Sequence, residues 1–586
     1  MCGIAGVALL PGKQLSPEIV DKLFRSLAHR GPDGSGREMR GGVALIHTRL
    51  AIIDLENGSQ PISDGNSLSL VANGEIYNNK ELRMAFAAKF TTQSDCEPPL
   101  MLYKKFGNKF VDHMRGMWGV ALHDSNCSEL VLSRDPFGIK PLYYAETSIG
   151  VIFASEAQAI IQTKFVNLEI NNHVRDELLN LQFTTGSDTI YRGIRRVLPG
   201  EVLSIREGKI YKRYRKAALP NRPIEVLDEE TALDRLDKVL LESVELHQRS
   251  DVPYGMFLSG GIDSTSLLIA MSRLSNNPVS AYTLGFDTSS VANETEHAAK
   301  MAKLVGAKHQ AVLMGENDFW SILQKVVAVL DDPVIDYATL PTYKLAELAG
   351  RELKVVLSGE GGDELFGGYG RYRKSIRPWW QGGRQPMRSY SSLSRLDILR
   401  NKTQGWRDGI VKAEKEASIS GRSALQVVQA VDCIDWLPND LLLKLDRCLM
   451  AHGVEGRTPF LDPSVASLAF CLPDHLKVRG RLGKWLLRKW LDRELPESAA
   501  FERKKGFTVP IGEWINSRAK TIAPLVERQQ GIQELCVPGK IPELFECKSP
   551  LARNASWILL FYSLWHNYHV LGRDIGENIG DALALN

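Results

Sequence analysis

Near residue 210 the spacing of turn residues and apolar runs changes, which confines the chain to two differently built parts. Before it, the short runs GIAGVAL, GVALIHTRLAIID, SLSLVANGEIY, MWGVALHD and GVIFASE are divided by Gly, Asp and Asn turns. Runs of this length predict strands packed as sheets, with helices expected over 17–28 and 95–107. Later in the chain the periodicity lengthens. A helix is expected over 229–248, after which YGMFL, AYTLGF and LKVVL each end at a glycine-bearing turn and alternate with helical stretches. That order predicts a parallel α/β sheet. The charged region 205–230, which includes REGKIYKRYRKAALPNRPIEVLDEE and its two prolines, reads as the boundary. The expected division is 1–210, a linker over 211–230, and 231–586.

A chain of 586 residues normally forms more than one core, and 44% apolar residues supply ample material. Its 72 basic and 69 acidic residues nearly cancel, with no long basic arm, which argues against a nucleic-acid partner. The opening MCGIAGVALLPGKQL has no basic segment before its apolar stretch and is too short to span a membrane, so the expected compartment is the cytoplasm. Eight scattered cysteines, no CxxC and no HExxH leave a disulfide framework or a zinc site without support. Residues 380–425 are polar and are expected to form a lid or a surface insertion. The tail past about 500 reads as helical pieces.

Cys2 follows the initiator methionine, so removal of Met1 would put a thiol and a free amine on one residue. An α-amine is partly neutral near physiological pH and could take the thiol proton directly or through water, giving a nucleophile without histidine. MCGIAG, HRGPDG at 29–34, HTRLAIID at 47–54, NGEIYN at 73–78 and SDCE at 94–97 follow one another in order. Together they resemble the glutaminase domain of asparagine synthetases and other amidotransferases with an N-terminal nucleophile, over roughly the first 200 residues.

Glutamine hydrolysis at Cys2 is what that resemblance implies. Arg49 would clamp the glutamine carboxylate through its forked guanidinium, and Asp95, joined by Glu75, would receive the ammonium. Asn73 and the Gly74 N–H would form the oxyanion hole for thioester formation. Against this, NG is also a common turn signal and Arg49 could be a surface charge. His29 and Arg30 read as loop organisers, and Cys96 as a packed cysteine.

SGGIDS at 259–264 lies between the apolar GMFL and the helical STSLLIAM. A strand, a small-residue turn and a helix N-terminus would present N–H groups to phosphate, helped by the Ser259 and Ser264 hydroxyls and by close approach at Gly260 and Gly261. The turn has neither a Walker ending nor dinucleotide-fingerprint spacing, and a tight βα turn is the alternative. The segment resembles the ATP-pyrophosphatase class, which forms adenylated intermediates. The resemblance places Asp263 at magnesium–pyrophosphate, and Leu258, Leu284 and Gly359 around adenosine. In SGEGGDELFGGYGRYRK at 358–374, Asp363 would help hold Mg²⁺. Glu360 is the candidate base for ammonia attack, and Glu364 would organise the loop. LDRCLMAHGVEGRTPFLD at 445–462, RLGKWLLRKW at 481–490 and KKGFTVPIGEWI at 504–515 also resemble asparagine synthetases. Lys484 would neutralise phosphate charge, while Arg457 either fixes an anion or forms a structural ion pair.

The expected architecture is an α+β glutaminase sandwich, two antiparallel sheets flanked by helices, followed by an α/β parallel-sheet ATP-pyrophosphatase domain. The implied reaction adenylates L-aspartate with ATP, releases pyrophosphate, and delivers ammonia from L-glutamine through an interior channel to give L-asparagine. Another carboxylate (sugar, peptide or secondary metabolite) and a regulatory ATP- or glutamine-binding homologue stay open. A homodimer is an expectation from similar enzymes.

Overall fold

The computed structural model describes residues 2–86, 90–288, 294–383, 385–393, 395–401, 403–502, 509–574, 576 and 578–584. In the first part the strands are β1 (Gly3–Leu9), β2 (Gly34–Arg40), β3 (Val43–Arg49), β4 (Ile62–Ser63), β5 (Leu68–Ile76) and β6 (Gly116–Asp124). They continue as β7 (Glu129–Arg134), β8 (Tyr143–Thr147), β9 (Gly150–Ala154), β10 (Arg195–Arg196), β11 (Glu201–Arg206) and β12 (Lys209–Arg215). Among the described residues they form two sheets, ordered β10-β8-β9-β1-β3-β2 and β12-β11-β7-β6-β5-β4. The register in β1, β5 and their neighbours is antiparallel throughout.

The period of two explains why these strands stack as layers. In β1, Ile4 and Ala8 enter the core between the sheets, where they meet Val71 of β5 and Ala121 of β6. Ala5, Val7 and Leu9 point the other way and pack on Ile19, Leu23 and Leu27 of the helix Pro17–Leu27. On the second sheet Trp118, Val120 and Leu122 cover the helix Pro98–Phe106 through Leu100, Leu102 and Tyr103. Each such buried Leu or Ile contributes about 1.5–3 kcal/mol. The result is a helix–sheet–sheet–helix sandwich.

The second part is built on β13 (Tyr254–Phe257), β14 (Ser280–Phe286), β15 (Lys308–Met314), β16 (Val355–Leu357) and β17 (Glu455–Arg457). These strands are parallel, in the order β15-β14-β13-β16-β17. The helix Glu229–His247 leads in, its start fixed by Asp228 accepting from the Thr231 N–H. Successive strands run outward from β13 in one direction and from β16 in the other. The carboxyl ends of β13 and β16 therefore flank the point where the winding reverses, the crevice in which open α/β sheets bind ligands.

The described parts of 380–425 are not a free flap. Leu393 and Ile398 are buried in the main core, the Arg400 N–H donates to the Leu535 carbonyl, and the Val537 N–H donates to that of Ile398. The segment is thereby fastened to the C-terminal helices. Of the stretch 504–515, residues 504–508 lie outside the described residues and Ile511–Ser517 is a helix. No described helix is long and apolar enough to cross a membrane.

Candidate active sites

At the first centre the Cys2 N–H donates to Asn73 Oδ1 at 3.1 Å. Cys2 immediately precedes β1, an inner strand of one sheet, and Asn73 lies on β5 of the other, so the sandwich itself brings them together. With Oδ1 occupied, the amide nitrogen of the fully buried Asn73 is left without a hydrogen-bond partner. Gly74 follows on β5, opposite Trp118, and its carbonyl lies 3.9 Å from the Cys96 thiol. Burial pushes the Cys2 thiol up, and the positive N-terminus pulls it back.

Asp95 accepts from the Ile76 N–H at 2.6 Å and lies beside Glu75 and Cys96. Burial holds Glu75 well above the usual carboxylate range and raises Asp95 as well. Arg49 is at the end of β3, where its guanidinium donates to the carbonyls of Leu55 (3.0 Å), Ile53 (3.3 Å) and Asp54 (2.5 Å). A guanidinium carries five N–H groups, so three carbonyls fix it without exhausting it. Arg30 donates from Nε to the Cys2 carbonyl at 3.2 Å and bridges Glu156 and Asp446, and His29 reaches the same Glu156 at 3.1 Å. Cys96 is fully buried with a thiol raised well above its usual value by burial.

The second centre occupies the reversal point. Leu258 directly follows β13 with its N–H on the Tyr282 carbonyl, and the loop after it turns through Gly260 at φ +68° into the helix Ile262–Leu274. Ser264 Oγ accepts from the Ser259 N–H at 3.2 Å, and the Gly261 N–H donates to Ser259 Oγ at 3.3 Å, so the loop is held by its own hydroxyls. Leu284 is buried on β14, the strand beside β13. Gly359 follows β16 and lies over Asp263: a Cβ there would be 3.1 Å from that of Asp263.

Lys484 connects the two helix starts that follow β13 and β16, Ile262–Leu274 and Gly362–Phe366. Its ammonium contacts Asp263 and lies 2.6 Å from Asp363 Oδ1. Burial pushes the Lys484 ammonium down, but the two carboxylates together raise it above its usual value. Lys484 itself has φ +58°, an uncommon backbone for a residue with a Cβ. Gly368 makes the approach feasible, because a Cβ there would fall 1.7 Å from Asp363 Oδ1 and 2.4 Å from Lys484 Cε. Two carboxylates on the first turns of the helices Ile262–Leu274 and Gly362–Phe366 are a hard-oxygen donor set of the size Mg²⁺ takes from a protein when phosphates and water complete its shell. Asp263 and Asp363 thus fit the implied ion. Burial raises Glu360, with Lys444 the main opposing charge, and Lys444 is itself paired with Asp336. Glu364 is pushed up to about 8 by burial and accepts from the Tyr369 hydroxyl at 2.8 Å.

Residues 235–567 match the family model described as asparagine synthase, and residues 1–215 match that of a glutamine amidotransferase domain. The chain belongs to the glutamine-hydrolysing asparagine synthetase family. It is 32% identical to a putative glutamine-hydrolysing asparagine synthetase of Mycobacterium tuberculosis, over 97% of each chain. It is 31% identical to asparagine synthetase 1 of Bacillus subtilis, over 99% of this chain and 98% of that one. An amidase of Penicillium rubens, chyE, is 34% identical over 64% of this chain and 60% of its own length. The activity of the family is glutamine-dependent asparagine synthesis, a ligase reaction.

Sequence reasoning left Arg457 between two roles, and its surroundings are those of an ion pair. It lies 2.6 Å from Glu455 and 3.4 Å from Glu75, and donates to the carbonyls of His247 and Arg249. Glu455 was missed altogether. This carboxylate belongs to β17 of the second part yet faces the first centre, where the positive N-terminus and Arg457 hold it below the usual range despite burial. The pairs Arg30–Asp446, Arg115–Asp462 and Arg196–Asp332 also join the two parts. Nothing in the sequence reading pointed to these contacts, since their partners lie 416, 347 and 136 positions apart.

Proposed function

We propose that this chain makes L-asparagine from L-aspartate, ATP and L-glutamine. The reading is carried by one observation: Cys2 lies against Asn73 in the same molecule whose parallel sheet carries the Lys484–Asp263–Asp363 cluster beyond its strand ends. Once Met1 is removed, the Cys2 thiol attacks the glutamine amide, with its own amine taking the proton. The unpartnered Asn73 amide and the Gly74 N–H receive the charge that develops on oxygen. Arg49 binds the glutamine carboxylate; Asp95 and Glu75 bind the ammonium. The tetrahedral adduct then breaks its C–N bond: the nitrogen takes the proton held by the Cys2 amine and leaves as ammonia, giving the thioester. Water hydrolyses the thioester, releasing glutamate and returning the thiol.

At the second centre the side-chain carboxylate of aspartate attacks the α-phosphorus of ATP, giving aspartyl-AMP and pyrophosphate. The serine–glycine loop from Ser259 to Ser264 cradles the leaving pyrophosphate, and Lys484 neutralises it. Leu258, Leu284 and Gly359 surround the adenosine. Asp263 and Asp363 would hold Mg²⁺, which when bound supplies charge neutralisation at the phosphates. Ammonia attacks the acyl-AMP while Glu360 takes its proton, and AMP leaves. Leu50, Ile52 and Met117 of the first part share one apolar core with Leu357 and Leu461 of the second, so released ammonia has a dry environment in which to stay neutral. Domain limits of 1–210 and 231–586, joined by 211–230, suit this division of labour.

The test is product analysis by mass spectrometry with Met1-processed protein, L-aspartate, L-glutamine, ATP and Mg²⁺. Coupled appearance of asparagine, glutamate, AMP and pyrophosphate is expected. Glutamate without asparagine or aspartate-dependent pyrophosphate would sink the aspartate reading. It would favour amidation of another carboxylate.

A further inference from the structure

The helix Gly362–Phe366, which carries Asp363, is only five residues long. A helix leaves its last four carbonyls without helical partners, and one this short has little else to hold it. Here all four are met. The Gly368 N–H donates to the Asp363 carbonyl at 2.8 Å, and the Lys484 N–H donates to that of Phe366 at 3.1 Å. The two between them, on Glu364 and Leu365, both accept from Gln429 Nε2 at 2.7 Å. Gln429 is fully buried on the helix Ala424–Val431, so a single side-chain amide caps the Asp363 helix from outside.

An amide turned end for end would set its oxygen against those two carbonyls. Lys477 decides its direction. The Lys477 ammonium donates to Gln429 Oε1 at 3.0 Å and to the Phe470 carbonyl at 3.0 Å. An ammonium has donors and no acceptor, so Oε1 must face it and Nε2 must face the helix. Lys477 is fully buried, and its hydrogen-bond partners among the described residues are these two neutral oxygens. Burial brings its pKa down to about 8 against the pull of Asp474. A hydrocarbon chain would fill the same space without desolvating a charge, so what the ammonium supplies is direction.

The same lysine begins the path to Lys484. It ends the helix Asp474–Lys477 and leads into the hairpin of β18 (Val478–Arg479) and β19 (Leu482–Gly483), which Lys484 directly follows. That hairpin lies on the turn that closes the Asp363 helix. A Cβ on Gly367, at φ +76°, would fall 2.9 Å from Val478 Cγ2, and one on Gly483 would fall 2.3 Å from the Gly367 carbonyl. Asp363 and Lys484 are therefore held by one packed unit, with Lys477 and Gln429 behind it.

We propose that Lys477 and Gln429 are positioning residues for the cation and phosphate site of the second centre. The ammonium orients the amide, the amide caps the helix, and the cap sets where Asp363 stands relative to Asp263 and Lys484. Neither residue touches substrate. The inference rests on the reading of the second centre as an ATP site and is independent of which carboxylate is activated there.

The experiment is calorimetric titration of the full-length protein with ATP, once with Mg²⁺ and once with EDTA. It is run on the unaltered protein, on Lys477→Met, on Gln429→Met and on the double variant, each checked for a cooperative unfolding transition. Each single variant is expected to weaken Mg²⁺–ATP binding at least about tenfold. Binding of metal-free ATP is expected to change by less than about twofold, because a displaced Asp363 matters most where a cation is held. A side chain that only supported the fold would weaken both alike. The double variant is expected to be no more than about threefold worse than the worse single, since the two residues act in series. Should a single variant fail to fold, the double variant, which leaves neither side chain facing a lost partner, carries the Mg²⁺ comparison. Unchanged Mg²⁺–ATP affinity in folded variants overturns the proposal, as do equal losses with and without Mg²⁺ or single losses that multiply in the double. Absence of Mg²⁺–ATP binding by the unaltered protein overturns the ATP reading as well, which tells the two failures apart.

Discussion

Cys2 lies against a neutral amide held by paired strands, whereas Lys484 lies between two carboxylates held in the first turns of two helices. The first centre draws its geometry from register: β1 and β5 belong to facing sheets, and shifting either by one residue would turn Cys2 or Asn73 away. The second draws its geometry from charge. Two helix starts at neighbouring strand ends are tied by one ammonium, and glycine at 368 gives that ammonium room. The difference teaches that a nucleophile needs a fixed position. A site that must accept and release a highly charged polyphosphate needs charges able to change partners.

The two centres should therefore fail separately, and the largest expected effect tests that. Cys2→Ala should lower glutamine-dependent synthesis by at least about 10³-fold, since an N-terminal nucleophile has no substitute. Synthesis from added ammonium salts should persist. Loss of both activities together, in assays of asparagine formation with each nitrogen source, would break the comparison.

Lys484→Met is the converse. It removes the charge shared by Asp263 and Asp363, and aspartate-dependent pyrophosphate release should fall by roughly 10²–10³-fold. Glutamine hydrolysis measured without ATP should stay close to that of the unaltered enzyme. A comparable loss in both would mean that the ammonium supports the whole molecule rather than its own centre.

A smaller effect distinguishes the buried acids. Because burial raises Asp95, it becomes protonated at a higher pH than an ordinary carboxylate. Protonation removes its hold on the glutamine ammonium, so KM for glutamine should climb as pH falls from about 8 to about 5. Asp95→Asn should raise KM throughout and flatten that dependence. A profile unchanged by the substitution would remove Asp95 from glutamine binding.

The smallest effect concerns stability. Glu364 has a folded pKa of about 8 against an ordinary 4.5, so the folded protein binds its proton more tightly than the unfolded chain does. Its contribution is complete below the unfolded value and is lost as pH rises through the folded one. Glu364→Gln should flatten that decline, by about 1–3 kcal/mol between the two limits, in denaturation curves taken across pH.

Much of the architecture was legible because burial has a local period. Alternation in GIAGVAL, with Ile4 and Ala8 on one face and Ala5 and Val7 on the other, reads as a strand covered on both sides, and the structure places one there. SGGIDS and SGEGGDE were legible for a similar reason, since a strand, a small-residue turn and a helix start are neighbours in the chain. The path of 380–425 was not. Its few buried residues, such as Leu393 and Ile398, are spaced without a period among Ser and Arg, and what buries them is a distant set of C-terminal helices.

By itself, then, the sequence determined the two-part build, the family, and the segments that carry both centres, because each is encoded among residues close in the chain. Only the tertiary structure decided which partner each buried charge has. Glu455 and Arg457 sit beside Glu75, and Asp446 beside Arg30. These contacts join residues up to hundreds of positions apart. The physical reason is that a buried charge must be paired, but any buried opposite charge satisfies it, so spacing along the chain cannot name the partner.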